Sequence, residues 1–229
     1  MASIDLKGRK ALVTGGARGL GAGMAKALSA AGAAVMLADV SVDAGRETAR
    51  VLSAGGAKVG FVELDVADDH QWAAAVNATV AELGGFDILV NNAGIEVTAL
   101  VVDIDAAELR QMLDVNVVGT ALGMKHAFRA MRPGGIVGQG GAVVNVASVA
   151  ATIAFPAIAG YSASKSAIDR LTRVGAMEAG KLGYGVRVNC VYPGLVPTDM
   201  GIKLAADVVT AGLFASPEAA VGAIVDQTP

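Results

Sequence analysis

Cysteine is all but missing from this 229-residue chain: the one thiol, Cys190, sits in the apolar run VRVNCVY. That excludes a disulfide framework and a cysteine-ligated metal, and it fits a strand residue buried in a reducing compartment. Histidine is nearly as scarce. His70 and His126 fall on helical patterns with no partner at ligand spacing, so no metal is expected. No apolar segment reaches about 18 uninterrupted residues, the length a membrane helix requires. The opening MASIDLKGRK lacks the apolar core of a secretory leader, so a soluble, cytoplasmic protein without a membrane partner is expected. The net charge of -3, with no basic run, gives no purchase for nucleic acid or an anionic membrane surface. Internal repeats, linkers and low-complexity tracts are absent as well.

What the chain has in quantity is small and apolar. A hydrophobic content of 54% and 30 glycines in 229 residues imply one globular domain spanning 1–229, with helices packed tightly on a sheet. Short β-branched runs alternate with alanine-rich helical stretches. Strands are expected at 10–14, 34–39, 58–65, 86–91, 141–148 and 186–192. Because these runs are apolar throughout rather than alternating, the sheet should be covered on both faces. The strand–helix alternation then predicts an α/β fold, a Rossmann-type doubly wound parallel sheet of order 3-2-1-4-5-6.

Two stretches carry chemistry. The first, TGGARGLG, follows strand ALVT and opens a helix, with Gly15, Gly19 and Gly21 where the backbone must turn sharply, approach a pyrophosphate and let helix pack on strand. Asp39 ends the second expected strand eighteen residues beyond Gly21. A carboxylate there suits the hydroxyl pair of a ribose and repels a 2′-phosphate, which favours NAD over NADP. Arg18 pulls the other way, since its cation suits a 2′-phosphate. The second stretch runs from Asn145 to Lys165. Tyr161 and Lys165, four apart, share one helix face, so the ammonium is expected to lower the phenol's pKa. A phenol titrates near ~10, and a base working near neutrality needs a shift of about 3 units, roughly 4 kcal/mol. Ser148, ending the preceding strand, is expected to bring its hydroxyl beside the Tyr161 oxygen, a pair that fits a carbonyl or carbinol oxygen.

These motifs, together with LDV at 64–66, NNAG at 91–94, DVN ending at Asn116, YSASK at 161–165 and YPG at 192–194, resemble in order and spacing those of the short-chain dehydrogenase/reductase family. The resemblance covers nearly the whole chain. It implies an NAD(P)-dependent oxidoreductase in which Tyr161 is the acid/base and Ser148 orients the substrate oxygen. Lys165 would hold the nicotinamide ribose and tune Tyr161, and Asn116 would complete a proton relay through a water. Asp65 and Val66 would contact the adenine, Asn92, Ala93 and Gly94 would pass close to the cofactor, and Thr198 would meet the carboxamide. Leu20, Pro193, Gly194 and Val196 complete the implied cofactor contacts. Taken alone, Asn116 reads as a turn amide and Thr198 as a helix cap.

The residues expected to flank the chemistry are mostly apolar: Phe155, Leu195 and Met200, with Glu96 the charged exception. Residues 195–216 are expected to cover the pocket as a mobile lid. A bulky or cyclic, hydroxysteroid-like secondary alcohol is the first expectation for the small-molecule substrate, and a 3-oxoacyl thioester on a carrier protein the second. A non-catalytic NAD-binding regulatory module is the alternative of another class, against which the intact Ser148, Tyr161 and Lys165 argue. In the resembling family a segment like DQTP leads into a further helix and a seventh strand. The resemblance therefore implies that this chain is a trimmed piece of a longer polypeptide forming a homotetramer.

Overall fold

The computed structural model describes residues 4–228. Six strands form one parallel sheet: β1 (Lys10–Thr14), β2 (Ala34–Asp39), β3 (Val59–Glu63), β4 (Ile88–Asn91), β5 (Gly141–Val146) and β6 (Val186–Val191), in the order β3-β2-β1-β4-β5-β6. Eight helices connect and cover them: α1 (Gly19–Ala30), α2 (Val42–Ser53), α3 (Asp69–Leu83), α4 (Ala106–Leu113), α5 (Gly119–Met131), α6 (Ala159–Lys181), α7 (Asp199–Thr210) and α8 (Pro217–Gln227). The doubly wound fold is the one expected. No helix among the described residues is long and apolar enough to cross a membrane.

The strand period of two explains why these runs are apolar at every position. In β1, Ala11 and Val13 join Val35 and Leu37 of β2 in a core beneath α1 and α2, where Ala25 and Ala49 pack. Leu12, Met36 and Ala38 point to the opposite face and join Trp72, Phe86, Leu89, Met124 and Met131.

Strands β1 and β2 run as expected, whereas the other four are shorter. β5 stops at Val146 because the next residues leave the ladder to build a turn: Ser148 stays extended, and its hydroxyl accepts from the Ala150 amide at 3.2 Å. The sheet's order reverses between β1 and β4, which opens a crevice at the carboxyl ends of the strands. Thr14, Asp39, Asn91 and Ser148 all lie at that end. The segment over the crevice folds as α7, a turn and α8. Leu204 and Val208 pack on Ala220 and Ile224, and Phe155 stacks on Phe214 with ring centroids 5.4 Å apart.

A polar ladder is buried behind the crevice. Asn91 and Asn145, register partners on β4 and β5, are joined by Nδ2 of Asn91 donating to Oδ1 of Asn145 at 2.9 Å. Asn145 in turn donates to the Thr172 hydroxyl at 2.9 Å, and Asn91 to the Thr120 carbonyl at 3.3 Å. Gly123 of α5 lies against this ladder, and a Cβ there would collide with the Asn91 carboxamide and reach the Trp72 ring at 2.9 Å. In a free helix Gly→Ala stabilises by about 1 kcal/mol, but overpacking a closed core costs about 1–3 kcal/mol. Gly123→Ala should therefore destabilise by up to about 2 kcal/mol in chemical denaturation. A stabilised variant would show that the helix has room to shift.

Candidate active site

Gly15 and Gly19 both adopt left-handed φ, +62° and +56°, which an L side chain resists. A Cβ on Gly15 would lie 2.9 Å from the Ala93 Cα, and one on Gly21 would collide with the Gly15 carbonyl. The turn is braced by two residues. The Asn92 carboxamide donates to the carbonyls of Thr14 (2.9 Å) and Gly15 (3.2 Å), and the Thr14 hydroxyl accepts from the amides of Asn92 and Ala93, both at 3.0 Å. Helix α1, which follows, has neither a side-chain cap nor an acid in its first turn. Its leading N–H groups and positive dipole end, beside Gly19 and Leu20, are thus free for an anion such as a pyrophosphate.

A cavity of about 730 Å³ starts at this turn. Arg18, Gly19, Leu20, Asp39, Asp65 and Val66 line one end of it, and Asn92, Ala93 and Gly94 the floor. Ser148, Tyr161, Lys165, Pro193, Gly194, Val196 and Thr198 line it as well, with Thr198 close to Gly19, where a Cβ would lie 3.6 Å from its Cγ2. Glu96, Phe155, Leu195 and Met200 surround the remaining space. The residues fit a dinucleotide: glycines where a Cβ would intrude, an uncapped helix end, and an acid at the sheet's end. Asp39 is held in place as its carboxylate accepts from the amides of Ala17 (3.1 Å) and Ser41 (2.9 Å). Arg18 is exposed, and none of the ion pairs among the described residues joins it to Asp39.

Two expected site residues stand behind the cavity wall rather than on it. Gly21 acts through close packing against Gly15. Asn116 is completely buried in a π-helical stretch, Asp114–Val118, that joins α4 to α5. Its carboxamide accepts from the Ile95 amide (2.9 Å) and donates to the Ile95 carbonyl (2.9 Å) and the Ser164 hydroxyl (3.0 Å). The side chain therefore clamps the segment after Gly94. Thr198 does line the cavity, and its hydroxyl also caps α7 by accepting from the Gly201 amide at 3.3 Å.

Lys165 is 4% exposed. Its ammonium donates to the Val146 carbonyl at 3.0 Å and lies 5.5 Å from the Tyr161 ring centroid. Burial pushes the Lys165 pKa down to about 8, against the weak opposing effect of Cys190. Burial likewise pushes the Tyr161 phenol up to about 12, with the Ser148 hydroxyl acting downward and the Glu96 charge adding to the rise. This corrects the expectation of a phenol lowered toward neutrality in the free protein. Desolvation disfavours both charged forms, and the ammonium faces the ring and a carbonyl rather than the phenol oxygen.

Several residues of the site escaped the sequence reading. Thr14 and Ser164 are buried hydroxyls whose partners lie far along the chain or on their own helix: the Ser164 hydroxyl also donates to the Tyr161 carbonyl at 2.7 Å. Gln111 and Lys203 line the cavity from α4 and α7. Only the TG step after ALVT hinted at the first of these; the others carry no local signal.

Residues 9–208 match the family model described as short chain dehydrogenase. The chain is 41% identical over 201 residues to the trans-4-hydroxycyclohexanecarboxylate dehydrogenase of Sinomonas cyclohexanicum, covering 84% of this chain and 75% of that protein. It is 38% identical over 195 residues to the 3-alpha-(or 20-beta)-hydroxysteroid dehydrogenase of Mycobacterium bovis, covering 85% and 72%. The crystal structure of a short chain dehydrogenase from Mycobacterium smegmatis superposes with a TM-score of 0.79 at 30% identity, over 95% of this chain and 94% of that one. A match along most of the chain, on the same sheet order and around one continuous cavity, places this protein in the short-chain dehydrogenase family, NAD(P)-dependent oxidoreductases that act on CH–OH groups.

Proposed function

We propose that this chain interconverts a secondary alcohol and its ketone on a bulky or cyclic apolar skeleton, using NAD, with Tyr161 as acid/base. The observation that carries the reading is one cavity lined at once by the glycine turn and Asp39, by Ser148, Tyr161 and Lys165, and by the apolar Phe155, Leu195 and Met200. The bound nicotinamide supplies the hydride acceptor. Everything else falls to the chain's own residues. The Ser148 hydroxyl holds the substrate oxygen, and the Tyr161 oxygen takes the carbinol proton in oxidation and returns it in reduction. Lys165, beneath the ring, favours the phenolate as charge develops. A phenol at about 12 in the free protein is a ready donor at neutral pH and a poor base. Oxidation should accordingly gain, and reduction lose, as pH rises above 7.

The cavity's Phe155, Leu195, Met200, Ile153 and Leu204 support an apolar substrate, as do the ring-bearing alcohols named for the two relatives. Asp39 supports NAD: its carboxylate is fixed by two amides, and among the described residues no ion pair cancels its charge against a 2′-phosphate. The homotetramer belongs to this proposal too, supported by α6 exposing Val174 and Met177. The cytoplasmic location expected from the sequence is retained with it.

Removing the proton-transferring oxygen with Tyr161→Phe should lower kcat by a thousandfold or more and leave NAD affinity within about threefold, as measured by steady-state kinetics and fluorescence titration. Activity above about a tenth of wild type would remove Tyr161 from the role. Asp39→Ser should raise the NADP-to-NAD ratio of kcat/KM at least tenfold. A wild type that already prefers NADP would mean that Arg18, not Asp39, sets the choice.

A further inference from the structure

Helix α6 carries Tyr161 in its first turn, and that turn has neither a side-chain cap nor an acid to fasten it. Two buried hydroxyls fasten the helix instead. The Ser164 hydroxyl donates to the Tyr161 carbonyl at 2.7 Å and accepts from the Asn116 carboxamide at 3.0 Å. About two turns further along, the Thr172 hydroxyl donates to the Ile168 carbonyl at 2.7 Å and accepts from the Asn145 carboxamide at 2.9 Å. Each hydroxyl thus gives its proton within α6 and accepts one from another element. The two pegs belong to one ring. Asn145 is bonded to Asn91, Asn91 to the Thr120 carbonyl, and the Thr120 hydroxyl donates to the Asn116 carbonyl at 2.7 Å. Every side chain in that ring is buried, with Asn116, Asn145 and Ser164 completely so.

The pegs differ in what they hold. Ser164 reaches Tyr161 itself, and its partner Asn116 grips the Ile95 backbone by both amide and carbonyl. A Cβ on Gly94 would lie 3.2 Å from the Asn116 Oδ1 and 3.4 Å from the Lys165 Nζ, so the cavity-lining segment, the clamp and the lysine meet at one point. We infer that Ser164 is a positioning residue: by joining the Tyr161 carbonyl to the clamp on Ile95, its hydroxyl sets where the Tyr161 turn stands relative to the Gly94–Ile95 segment. The inference rests on the acid/base role proposed for Tyr161 and deepens it. Ser164 is completely buried and touches no ligand, so it acts only through Tyr161. A proton-transferring oxygen displaced by about 1 Å loses on the order of a hundredfold in rate. Thr172 holds the same helix but is bonded to no residue of the cavity wall, only to Ile168 and Asn145.

The test compares Ser164→Ala with Thr172→Val, which removes the matching peg away from Tyr161. Both should unfold at lower denaturant than wild type, since each leaves a buried carboxamide one partner short. Their kinetics should part. Ser164→Ala should lower kcat at least tenfold with NAD affinity and the KM for cyclohexanol within about threefold, whereas Thr172→Val should keep kcat within about threefold. A smaller loss in Ser164→Ala, or a loss as large in Thr172→Val, overturns the assignment. Should the alanine variant not fold, Ser164→Cys takes its place: the thiol is a weak donor, so a loss of at least threefold is expected and a smaller one overturns the role. The second readout is the Tyr161 ring-carbon NMR signal, assigned with Tyr161→Phe, which should move or broaden in Ser164→Ala and stay in place in Thr172→Val. A signal that responds to both substitutions or to neither overturns the positioning role. A signal that responds to Ser164→Ala alone, in a protein that turns over no secondary alcohol, would leave Ser164 in place and overturn the alcohol reading.

Discussion

The site depends on a lysine ammonium held out of water beneath a tyrosine ring. Keeping Lys165 4% exposed with one carbonyl partner costs stability, visible in a pKa drawn down to about 8. Since the free protein binds this proton less readily than the unfolded chain, whose lysine titrates near 10.5, Lys165 makes stability fall as pH drops through that interval. A fold tolerates such a group only where surrounding structure over-determines it. Here the ammonium is fixed from β5 through Val146 and from below by Gly94, where a Cβ would approach Nζ to 3.4 Å. The same burial raises the Tyr161 phenol, so desolvation disfavours the charged form of both members of the pair.

Around that pair the polar groups are spent on holding backbone. Asn92 braces the glycine turn, Asn116 clamps Ile95, and Asn91 and Asn145 tie β4 to β5 at the sheet's active end. These amides hold the backbone of the site rigid. Preorganisation of this kind lets groups that line the cavity, Ser148 and Tyr161 among them, act without rearranging.

Much of this was legible in the sequence because its signals are local. The six strands appear as apolar runs, the glycine turn as a spacing that only a tight bend requires, and Tyr161 and Lys165 as a pair one helical turn apart. Long-range events left no such trace. That Asn116 lies behind the wall follows from a π-helical stretch that places it against Ile95, twenty-one residues away in sequence. The Tyr161 phenol moves up rather than down because desolvation is a property of the packed cavity, and helical spacing reports only proximity. Glu96 reads as a charged exception in an apolar list, and only the fold shows the Thr98 hydroxyl occupying one of its oxygens.

The buried ammonium can be observed directly. NMR titration of the Lys165 side chain in the cofactor-free protein, assigned by comparison with Lys165→Met, should give a midpoint near pH 8. A midpoint near the ordinary 10.5 would mean that water reaches the ammonium in the free protein, and the burial on which the site is built would be contradicted.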